Sequence, residues 1–495
     1  MMKHNFLSPI LLALLVGSSI SACGGSSSPG VTSKVAATPA ADTSSTSVGI
    51  ITGFGSVHVN GIHYRTDNAT QITMDGLPSS EGALKVGQVV TVHGTIDADG
   101  LNGNADSISM QEEVRGPIEA IGAGQLTVLG QTVLVNADTL FDRAIVPADL
   151  TGLAIGDLVE VSGFRNAENA IAATFIELET SGHSFEVQGA IENVDTSLFT
   201  FSIGGLVIDY SSAQLSGIPG AVLSNGLIVE VEGISLGATQ ELIATKVEFE
   251  DLHDGENHDG NASEHGHEGT ELEGLVTRFV STADFDVAGH AVSTNSNTRY
   301  KRGNSTNLAM NARVEVEGDI DAAGVLIATT VEFRGVPKLE VEGSIDAVSA
   351  GSVTILGITV SVDANTVYRD DSTANLRTFS LKDIVVGDYL SVSGSAVTGL
   401  DTQVQASKIR RHNPTASVEI EGPVMSIVNS EITVLGVVIS SDATTVFKGR
   451  NGHTVTSTDF FAQLSVGEQV SIRGSATGTN SVVASRIEYE DENDD

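Results

Sequence analysis

The densest group of metal-ligating side chains lies in the segment 251–270, DLHDGENHDGNASEHGHEGT. Four imidazoles, those of His253, His258, His265 and His267, are interleaved there with Asp and Glu side chains. Neutral imidazole with nearby carboxylates suits Zn²⁺, Cu²⁺ or Ni²⁺. The spacing matches no preformed coordination geometry, so a bound ion would have to order the segment as it binds. A solvated acidic linker is the alternative, because a single Leu cannot build a core.

A second candidate for chemistry is Cys23, the only Cys of the chain. It cannot form an internal disulfide, but together with the three residues before it, ISA, it resembles the lipobox of bacterial lipoproteins. The resemblance implies that Cys23 is acylated and becomes the first residue after signal cleavage. Gly24 follows in place of an Asp, which by the same resemblance implies the outer membrane. The alternative is a soluble export signal with a chance Cys.

The residues around Cys23 predict export. Lys3 precedes an apolar run at residues 6–16 that is too short for a permanent spanning helix, which needs about 20 apolar residues. We expect residues 1–22 to be a signal peptide and residues 23–47 to be a flexible linker, rich in Ser, Thr and Ala. The protein would then be lipid-anchored to the outer membrane, on its periplasmic side or exposed at the cell surface.

Signatures of catalysis are sparse. The sequence contains no G-x-x-x-x-G-K-[ST] phosphate loop and no H-E-x-x-H zinc helix. One G-x-S-x-G match occurs at residues 233–237 around Ser235. A nucleophile elbow requires a strand that leads through the Ser into a helix, whereas this segment aligns with a turn between two strands in the repeats described next. We therefore expect that the protein is not an enzyme.

Three short blocks recur in the same order six times, as in EVEGSI, VGDYLSVSG and QASKIRR between residues 340 and 411. Such self-similarity indicates one structural unit in six copies. A unit of about 65 residues is small but can fold alone. We place the units and the acidic tail that follows them at residues 48–111, 113–179, 186–250, 271–334, 339–411, 418–490 and 491–495.

The sequence pattern of each unit predicts, in this order, a strand, a hairpin, a connector, a strand, a turn and a strand. Valines alternate with carboxylates at residues 229–232 and 314–317, which in a strand places the valines on a core face and the carboxylates in water. Two apolar strands joined by a Gly turn, such as residues 352–362, predict the hairpin. This order is the plan of the OB-fold. We predict an all-β chain of six tandem, OB-like, five-stranded barrels.

The connector after the hairpin contains an apolar residue in each unit. This position is either a ligand-stacking platform or a core anchor, and the presence of Ile and Leu in two units favours the anchor. The stretch that follows, such as residues 369–383, is expected to form a loop or one helical turn. The residues at the apolar position are Ile72, Phe141, Leu215, Tyr300, Tyr368 and Phe447.

The motifs EVEGSIDAV, TVLGVVISSDATTVF, VGDYLSVSG and IATKVEF resemble a bacterial family catalogued only as a domain of unknown function. That family occurs in tandem in exported lipoproteins, and the resemblance covers residues 48–490. Its motifs consist of glycines and β-branched residues, which specify a fold. The resemblance implies no catalytic residue.

Charge narrows the possible partners. With 63 Asp and Glu against 25 Lys and Arg, the net charge of -38 repels nucleic acid, so we expect no nucleic-acid partner. The six copies favour a non-catalytic binding or scaffold module for an envelope protein or a polysaccharide. The absence of Trp weakens the polysaccharide alternative. Metal binding by the segment 251–270 and a mechanical spacer of barrels in series are the other hypotheses.

Overall fold

The computed structural model describes residues 43–74, 76–179, 184–250, 252, 269–334, 339–397 and 400–490, which belong to one compact unit. The predicted signal peptide, Cys23, the histidines of segment 251–270 and the acidic tail lie outside the described residues. Strands dominate what is described, and the all-β prediction is confirmed.

The first three repeats contain twenty strands. Repeat 1 has β1 (Thr43–Gly53), β2 (Val57–Val59), β3 (Ile62–Arg65), β4 (Gln71–Met74), β5 (Leu77–Pro78), β6 (Val89–Ile96) and β7 (Asn102–Gln111). Repeat 2 has β8 (Val114–Gly122), β9 (Gln125–Val128), β10 (Gln131–Leu134), β11 (Leu140–Phe141), β12 (Leu158–Arg165) and β13 (Ile171–Leu178). Repeat 3 has β14 (Phe185–Ala190), β15 (Glu192–Asp195), β16 (Thr200–Ile203), β17 (Leu206–Asp209), β18 (Gln214–Ser216), β19 (Ile228–Leu236) and β20 (Leu242–Phe249).

The last three repeats contain seventeen strands. Repeat 4 has β21 (Thr270–Ser281), β22 (Asp284–Val287), β23 (His290–Lys301), β24 (Arg313–Ile320) and β25 (Leu326–Phe333). Repeat 5 has β26 (Leu339–Ser349), β27 (Ser352–Ile355), β28 (Ile358–Ser361), β29 (Val367–Asp370), β30 (Tyr389–Val397) and β31 (Leu400–His412). Repeat 6 has β32 (Val418–Val428), β33 (Glu431–Val434), β34 (Val437–Lys448), β35 (Thr454–Val455), β36 (Gln469–Gly478) and β37 (Ser481–Tyr489).

The connector before the fourth barrel strand forms one short helical turn in each repeat. In repeat 6 it is the α-helix α1 (Ser457–Gln463), whose first turn is capped by the Thr456 hydroxyl, which accepts a hydrogen bond from the Asp459 amide. The others are 3₁₀ turns, as short connectors commonly are. They are Glu81–Ala83, Leu150–Gly152, Pro219–Ala221, Ser305–Asn307 and Leu381–Asp383.

Repeat 6 shows the barrel in its simplest form. Strand β32 pairs antiparallel with β33, and β33 pairs antiparallel with β34. Strand β34 then runs parallel to β37, which pairs with β36, and β36 closes the barrel against β32. The order first, second, third, fifth and fourth is that of an OB-like barrel, which confirms the predicted fold.

The opening glycine of each repeat allows the hairpin turn to lie against the first strand. In repeat 2 a Cβ on Gly116 would lie 2.4 Å from Leu129 Cγ. Leu129 and Gly130 both have positive φ, 47° and 68°, as a type I′ turn requires. Leu129 is fully buried, so apolar packing offsets the cost of a Leu in a left-handed conformation.

The glycine that ends the second block marks a β-bulge. In repeat 4 the register of β24 against β25 shifts between Glu317 and Gly318. A Cβ on Gly318 would lie 2.2 Å from the carbonyl oxygen of Ile327 on the neighbouring strand. The same shift occurs at Gly94, Gly163, Gly233, Gly394 and Gly474. The recurring glycine is therefore required by close approach of two backbones.

A recurring Asx turn explains the motif DATTVF and its relatives. In repeat 5, Asp363 accepts a hydrogen bond from the Asn365 amide (2.9 Å), and Thr366 donates its hydroxyl to the Ala406 carbonyl (3.1 Å). The turn thereby ties the connector to the fifth barrel strand. Equivalent hydroxyl bonds run from Thr70 to Ala105, Thr139 to Ala173, Thr298 to Ala328 and Thr445 to Ala484.

The barrels join in three pairs through their first strands. Strand β8 pairs antiparallel with β14, and β26 pairs antiparallel with β32. Repeat 2 is thus joined to repeat 3, and repeat 5 to repeat 6, and both of these pairs consist of repeats that are neighbours in the sequence. Strand β1 instead pairs parallel with β21, which joins repeat 1 to repeat 4. Because β1 starts at Thr43, the predicted flexible linker ends earlier than residue 47. Residues 43–47 are the first part of β1 and pair antiparallel with β6.

The expectation that the alternating carboxylates face water is wrong at these junctions. Glu271 and Glu273 of β21 are buried, as is Glu315 of β24. Ser47 Oγ donates to Glu271 Oε2 (2.8 Å), and Arg313 Nη2 pairs with Glu273 Oε1 (2.8 Å). The outer face of one barrel is covered by its neighbours, so the carboxylates are retained there by ion pairs and hydrogen bonds. The valines on the opposite face are buried in the core as predicted.

Paired barrels share apolar cores. Repeats 5 and 6 contribute to a single buried cluster that includes Leu339 and Val418. Leu339 lies 3.1 Å from where a Cβ on Gly422 would be, and Val418 lies 3.5 Å from the corresponding point on Gly343. In this pair, the opening glycine of each barrel thus receives an apolar side chain from the other barrel. Small domains bury little surface alone, and pairing increases that burial.

Candidate functional site

A cleft of about 290 Å³ opens where repeats 1, 2 and 5 meet. We call it the inter-barrel cleft. Its lining combines aromatic rings with an excess of cations, in a protein whose overall charge is strongly negative. The lining residues are Phe54, Lys85, Val86, Asp142, Arg143, Phe175, Tyr368, Arg369, Asp370, Asn375, Leu376 and Arg377.

Arg377 connects the connector of repeat 5 to repeat 1. Its guanidinium donates hydrogen bonds to the backbone carbonyls of Glu81, Gly82 (3.4 Å) and Leu84 (2.7 Å). The Glu81 carbonyl also accepts the 3₁₀ hydrogen bond of this turn from the Leu84 amide (3.2 Å), and Gly82 and Leu84 lie at the C-terminal end of the turn. The same guanidinium carbon lies 3.7 Å from the centroid of the Phe54 ring. Cation–π contact and carbonyl capping together hold one wall of the cleft.

Asp370 shapes the loop that presents Arg377. Its carboxylate accepts hydrogen bonds from the Leu376 amide (2.7 Å), from Ser372 and from Arg411 Nη2 (2.6 Å). Burial opposes the charge on Asp370, but the bonds from Arg411, Leu376 and Ser372 outweigh it and lower the pKa of the carboxyl group. Asp370 is therefore ionised and orders residues 371–377 at the cleft.

Arginines from two barrels meet at Asp371. Arg369 Nε (2.7 Å) and Arg410 Nη2 (2.9 Å) pair with its carboxylate, and Arg143 Nη2 of repeat 2 lies 3.7 Å away. Arg369 also donates to the carbonyl of Phe141 (2.6 Å), and Arg143 to that of Asp370. Repeats 2 and 5 are thus joined by reciprocal arginine-to-carbonyl bonds across the cleft.

Lys85 connects repeat 1 to repeat 2 on the opposite wall. Its ammonium pairs with Asp142 Oδ2 (3.0 Å) and with Glu177, and lies 5.8 Å from the centroid of the Phe175 ring. Burial opposes the charge, yet hydrogen bonds and attraction from Glu177 and Asp142 raise the pKa of Lys85. The ammonium stays protonated and contributes positive charge to the cleft.

Tyr368 has features of both roles predicted for its position, the core anchor and the ligand-stacking platform. It is half-buried, packs edge-on against Phe379 at 6.2 Å and lines the cleft. No hydrogen bond to its hydroxyl exists within the described part of the chain, and burial raises its pKa to about 12. The equivalent Phe141 and Phe447 are buried core anchors, as predicted, whereas Leu215 is 42% exposed and is not.

A smaller cavity of about 80 Å³ lies where repeats 1, 2, 4 and 5 meet. It is lined by Arg302, Arg313, Arg334 and Lys408 among polar side chains. Lys408 is buried and donates to the Ala137 carbonyl, and burial lowers its pKa to about 8. The volume is too small for an ordinary organic ligand. The inter-barrel cleft is therefore the better candidate site.

The sequence-predicted sites do not converge with this cleft. The lipidation site Cys23 and the metal-site candidates His253, His258, His265 and His267 lie outside the described residues, so both sites stay predictions. Within the described ranges, no three His, Cys, Asp or Glu side chains are grouped to hold a metal ion. In the same ranges, no helix is long and apolar enough to span a membrane.

Ser235 does not occupy a nucleophile elbow. It lies near the end of β19, which turns back into β20 instead of leading into a helix. The preceding Gly233 is the bulge glycine of this repeat, so the G-x-S-x-G match extends over the end of a strand and its turn. The predicted turn starts at Gly237 instead of Gly233, because four of the five residues of the match belong to β19, and this segment lacks the geometry required for the elbow.

Sequence reasoning missed the cleft, although one signal was available. Six of the 25 Lys and Arg residues lie between residues 369 and 411, against five Asp and Glu. An excess of cations over carboxylates across the connector and β31, in a chain of net charge -38, indicates a specific role for those side chains. Which barrel they would face could not be read from the sequence.

One family model matches the chain at six successive segments, residues 47–108, 115–177, 188–248, 273–332, 342–410 and 421–488. The family is described as a domain of unknown function. No curated protein matches the chain. The six matched segments contain the barrel strands described above. The chain therefore belongs to the family of the domain of unknown function DUF5666, whose domain it contains six times.

Proposed function

We propose that this chain is a non-catalytic, lipid-anchored protein of the bacterial outer membrane, whose six barrels form one binding scaffold. The observation that carries the proposal is the inter-barrel cleft, which takes its walls from repeats 1, 2 and 5. Barrels acting only as independent beads or as a spacer have no need of a composite, positively charged cleft. Ligand sites commonly lie at such junctions between domains.

Anchoring through Cys23 complements this arrangement. The predicted linker between the lipid and β1, about 20 residues long, would span roughly 25 Å as a random coil. That reach would hold the barrels near the membrane while leaving the cleft accessible to envelope proteins or small molecules of the envelope.

The test uses photo-cross-linking in living cells that export the full chain. A photoreactive amino acid replaces Asn375, an exposed residue on the cleft. The matched control carries it at Asn451, an exposed loop position in repeat 6. We expect an adduct, detected by mass spectrometry, at position 375 and none at 451. Absence of adducts at 375, or equal labelling at both positions, contradicts a binding role for the cleft.

The same cells test the anchor. Wild-type protein should partition with the outer membrane and become labelled by a fatty-acid precursor, whereas Cys23→Ser should be unlabelled and released from the membrane fraction. Retention of the Cys23→Ser protein in the membrane would show that another segment anchors the chain. The proposal of a binding scaffold would then depend on the cross-linking result alone.

A further inference from the structure

We propose that the inter-barrel cleft binds a small aromatic carboxylate, with its carboxylate at Arg143 and Tyr368 and its ring against the apolar wall. This inference rests on the proposed binding function and names the class of ligand. It depends on three properties of the cleft: its charge, its unused hydrogen-bonding groups and its size.

The charge of the cleft favours an anion. Four cations and two carboxylates line it, although the chain as a whole has a net charge of -38. The low-dielectric walls of a cleft strengthen the attraction between such groups and a ligand charge. The surrounding acidic surface repels polyanions, so a ligand with a single negative charge is favoured over a polyphosphate or an anionic polymer.

Hydrogen-bonding capacity remains on two groups that line the cleft. Arg143 is 43% exposed in its side chain and bonds through Nη2 alone, to the Asp370 carbonyl and near Asp371. Its Nε and Nη1 donors face no acceptor within the described part of the chain, and a guanidinium binds a carboxylate best through two such donors. The hydroxyl of Tyr368 likewise has no partner there, and because burial keeps it protonated it can donate to the same anion.

The apolar wall fits a flat ring. Tyr368 is half-buried and presents aromatic surface, and Leu376, at 40% exposure, presents an uncovered aliphatic side chain. Phe175 also lines the cleft, but it is buried and lies beneath the Lys85 ammonium. Aromatic side chains favour offset or edge-on contact with a second ring. A volume of about 290 Å³ lies at the lower end of the range for small-molecule sites. It accommodates one substituted ring.

The experiment titrates benzoate and 4-hydroxybenzoate into the full-length protein, with ligand-detected NMR and calorimetry as readouts. Benzamide, which is neutral, and cyclohexanecarboxylate, which lacks a π-system, serve as comparison ligands. We expect benzoate to bind at least about ten-fold more tightly than either. Equal binding of benzamide overturns the anionic requirement, and equal binding of cyclohexanecarboxylate overturns the aromatic one.

Variants locate the binding. Arg143→Gln and Tyr368→Phe should each weaken benzoate binding, the first by about ten-fold. Arg278→Gln is the matched control, since Arg278 has a similar exposure of 45% but pairs with Asp284 and Asp286 in repeat 4. It should bind benzoate as the wild type does. Unchanged melting temperatures show that the variants are folded.

Two further results overturn the inference: no benzoate binding at millimolar concentration, or binding that Arg143→Gln leaves unchanged. Either result is distinguishable from failure of the proposed function. An adduct at position 375 without benzoate binding keeps the scaffold and replaces the ligand class, whereas the absence of both removes the binding role itself.

Discussion

Single residues at the junctions between barrels affect the stability of the fold more than their positions in the repeat indicate. Glu271 lies on an alternating strand, yet only 8% of it is exposed. Its carboxylate accepts a hydrogen bond from Ser47, 224 residues away, and Ser47 also bonds to the hydroxyl of Tyr64 (2.6 Å). Burial is the main cause that raises the pKa of Glu271 to about 7, and repulsion from Glu317 adds to it.

This pKa predicts a pH-dependent junction between repeats 1 and 4. A carboxyl group whose pKa is higher in the folded than in the unfolded state stabilises the fold while it is protonated. This stabilisation is complete at a pH below the unfolded-state pKa of about 4.5, and it is lost as the pH rises through 7. Glu271→Gln keeps an acceptor for Ser47 and removes the titration. We expect it to match the wild type at pH 4.5 and to raise the free energy of unfolding by roughly 2 kcal/mol at pH 8.

Urea unfolding at both pH values measures the effect. Glu192→Gln, which removes an exposed carboxylate in repeat 3 away from any junction, is the control and should follow the wild-type pH profile. A Glu271→Gln protein that is destabilised at pH 8 would show that the Ser47 hydrogen bond and the attraction from Arg334 and Lys301 outweigh the desolvation of Glu271.

At the scale of elements, the recurring glycines are steric requirements of the barrel. The bulge in β24 brings the Ile327 carbonyl to 2.2 Å from any Cβ on Gly318, and the obstacle is backbone that cannot rotate away. The other repeats have the same bulge at the same place. The glycine of the repeat motif is therefore required where two backbones approach closely. This explains why the motif specifies a fold and not a chemical activity.

Gly318→Ala should lower the free energy of unfolding by roughly 2–3 kcal/mol, because the strand must move to admit the methyl group. Gly82→Ala is the matched control, since a Cβ there would meet only Ser80 Oγ at 3.7 Å. It should be neutral or slightly stabilising through the unfolded state. Calorimetric melting compares the two. Equal melting temperatures would show that the bulge relaxes at no cost.

At the scale of the whole molecule, the barrels do not follow one another in series. Repeat 1 pairs with repeat 4, and Arg377 of repeat 5 reaches the 3₁₀ turn of repeat 1. An ion pair between Arg302 and Asp363 connects repeats 4 and 5. These long-range contacts gather the repeats into one unit, which the hypothesis of a linear mechanical spacer does not require.

Small-angle X-ray scattering distinguishes the two arrangements. A compact unit of residues 43–490 has an expected radius of gyration of about 22 Å, whereas six such barrels in a line give about 50 Å. We expect the full chain to measure below about 30 Å, because its N-terminal segment adds little scattering mass. A value near 50 Å would contradict the composite cleft and favour the spacer.

The sequence by itself determined the barrel. Period-two alternation, hairpin glycines and the order of blocks act between residues close along the chain, and these local signals predicted the five barrel strands. They did not predict the short strands of the connectors, such as β11, β18 and β29. The same signals misplaced Glu315 in water, because alternation distinguishes the two faces of a strand but does not show what covers the outer face.

Only the tertiary structure decided which barrels meet and what lies between them. The opening strands of the six repeats are so similar that sequence offers no basis for pairing β1 with β21 over its neighbour β8. That choice depends on contacts such as Ser47 with Glu271 and Arg377 with Phe54, made between side chains more than 200 residues apart. The inter-barrel cleft exists only through these contacts, so its charge and its unused donors became visible once the barrels were assembled.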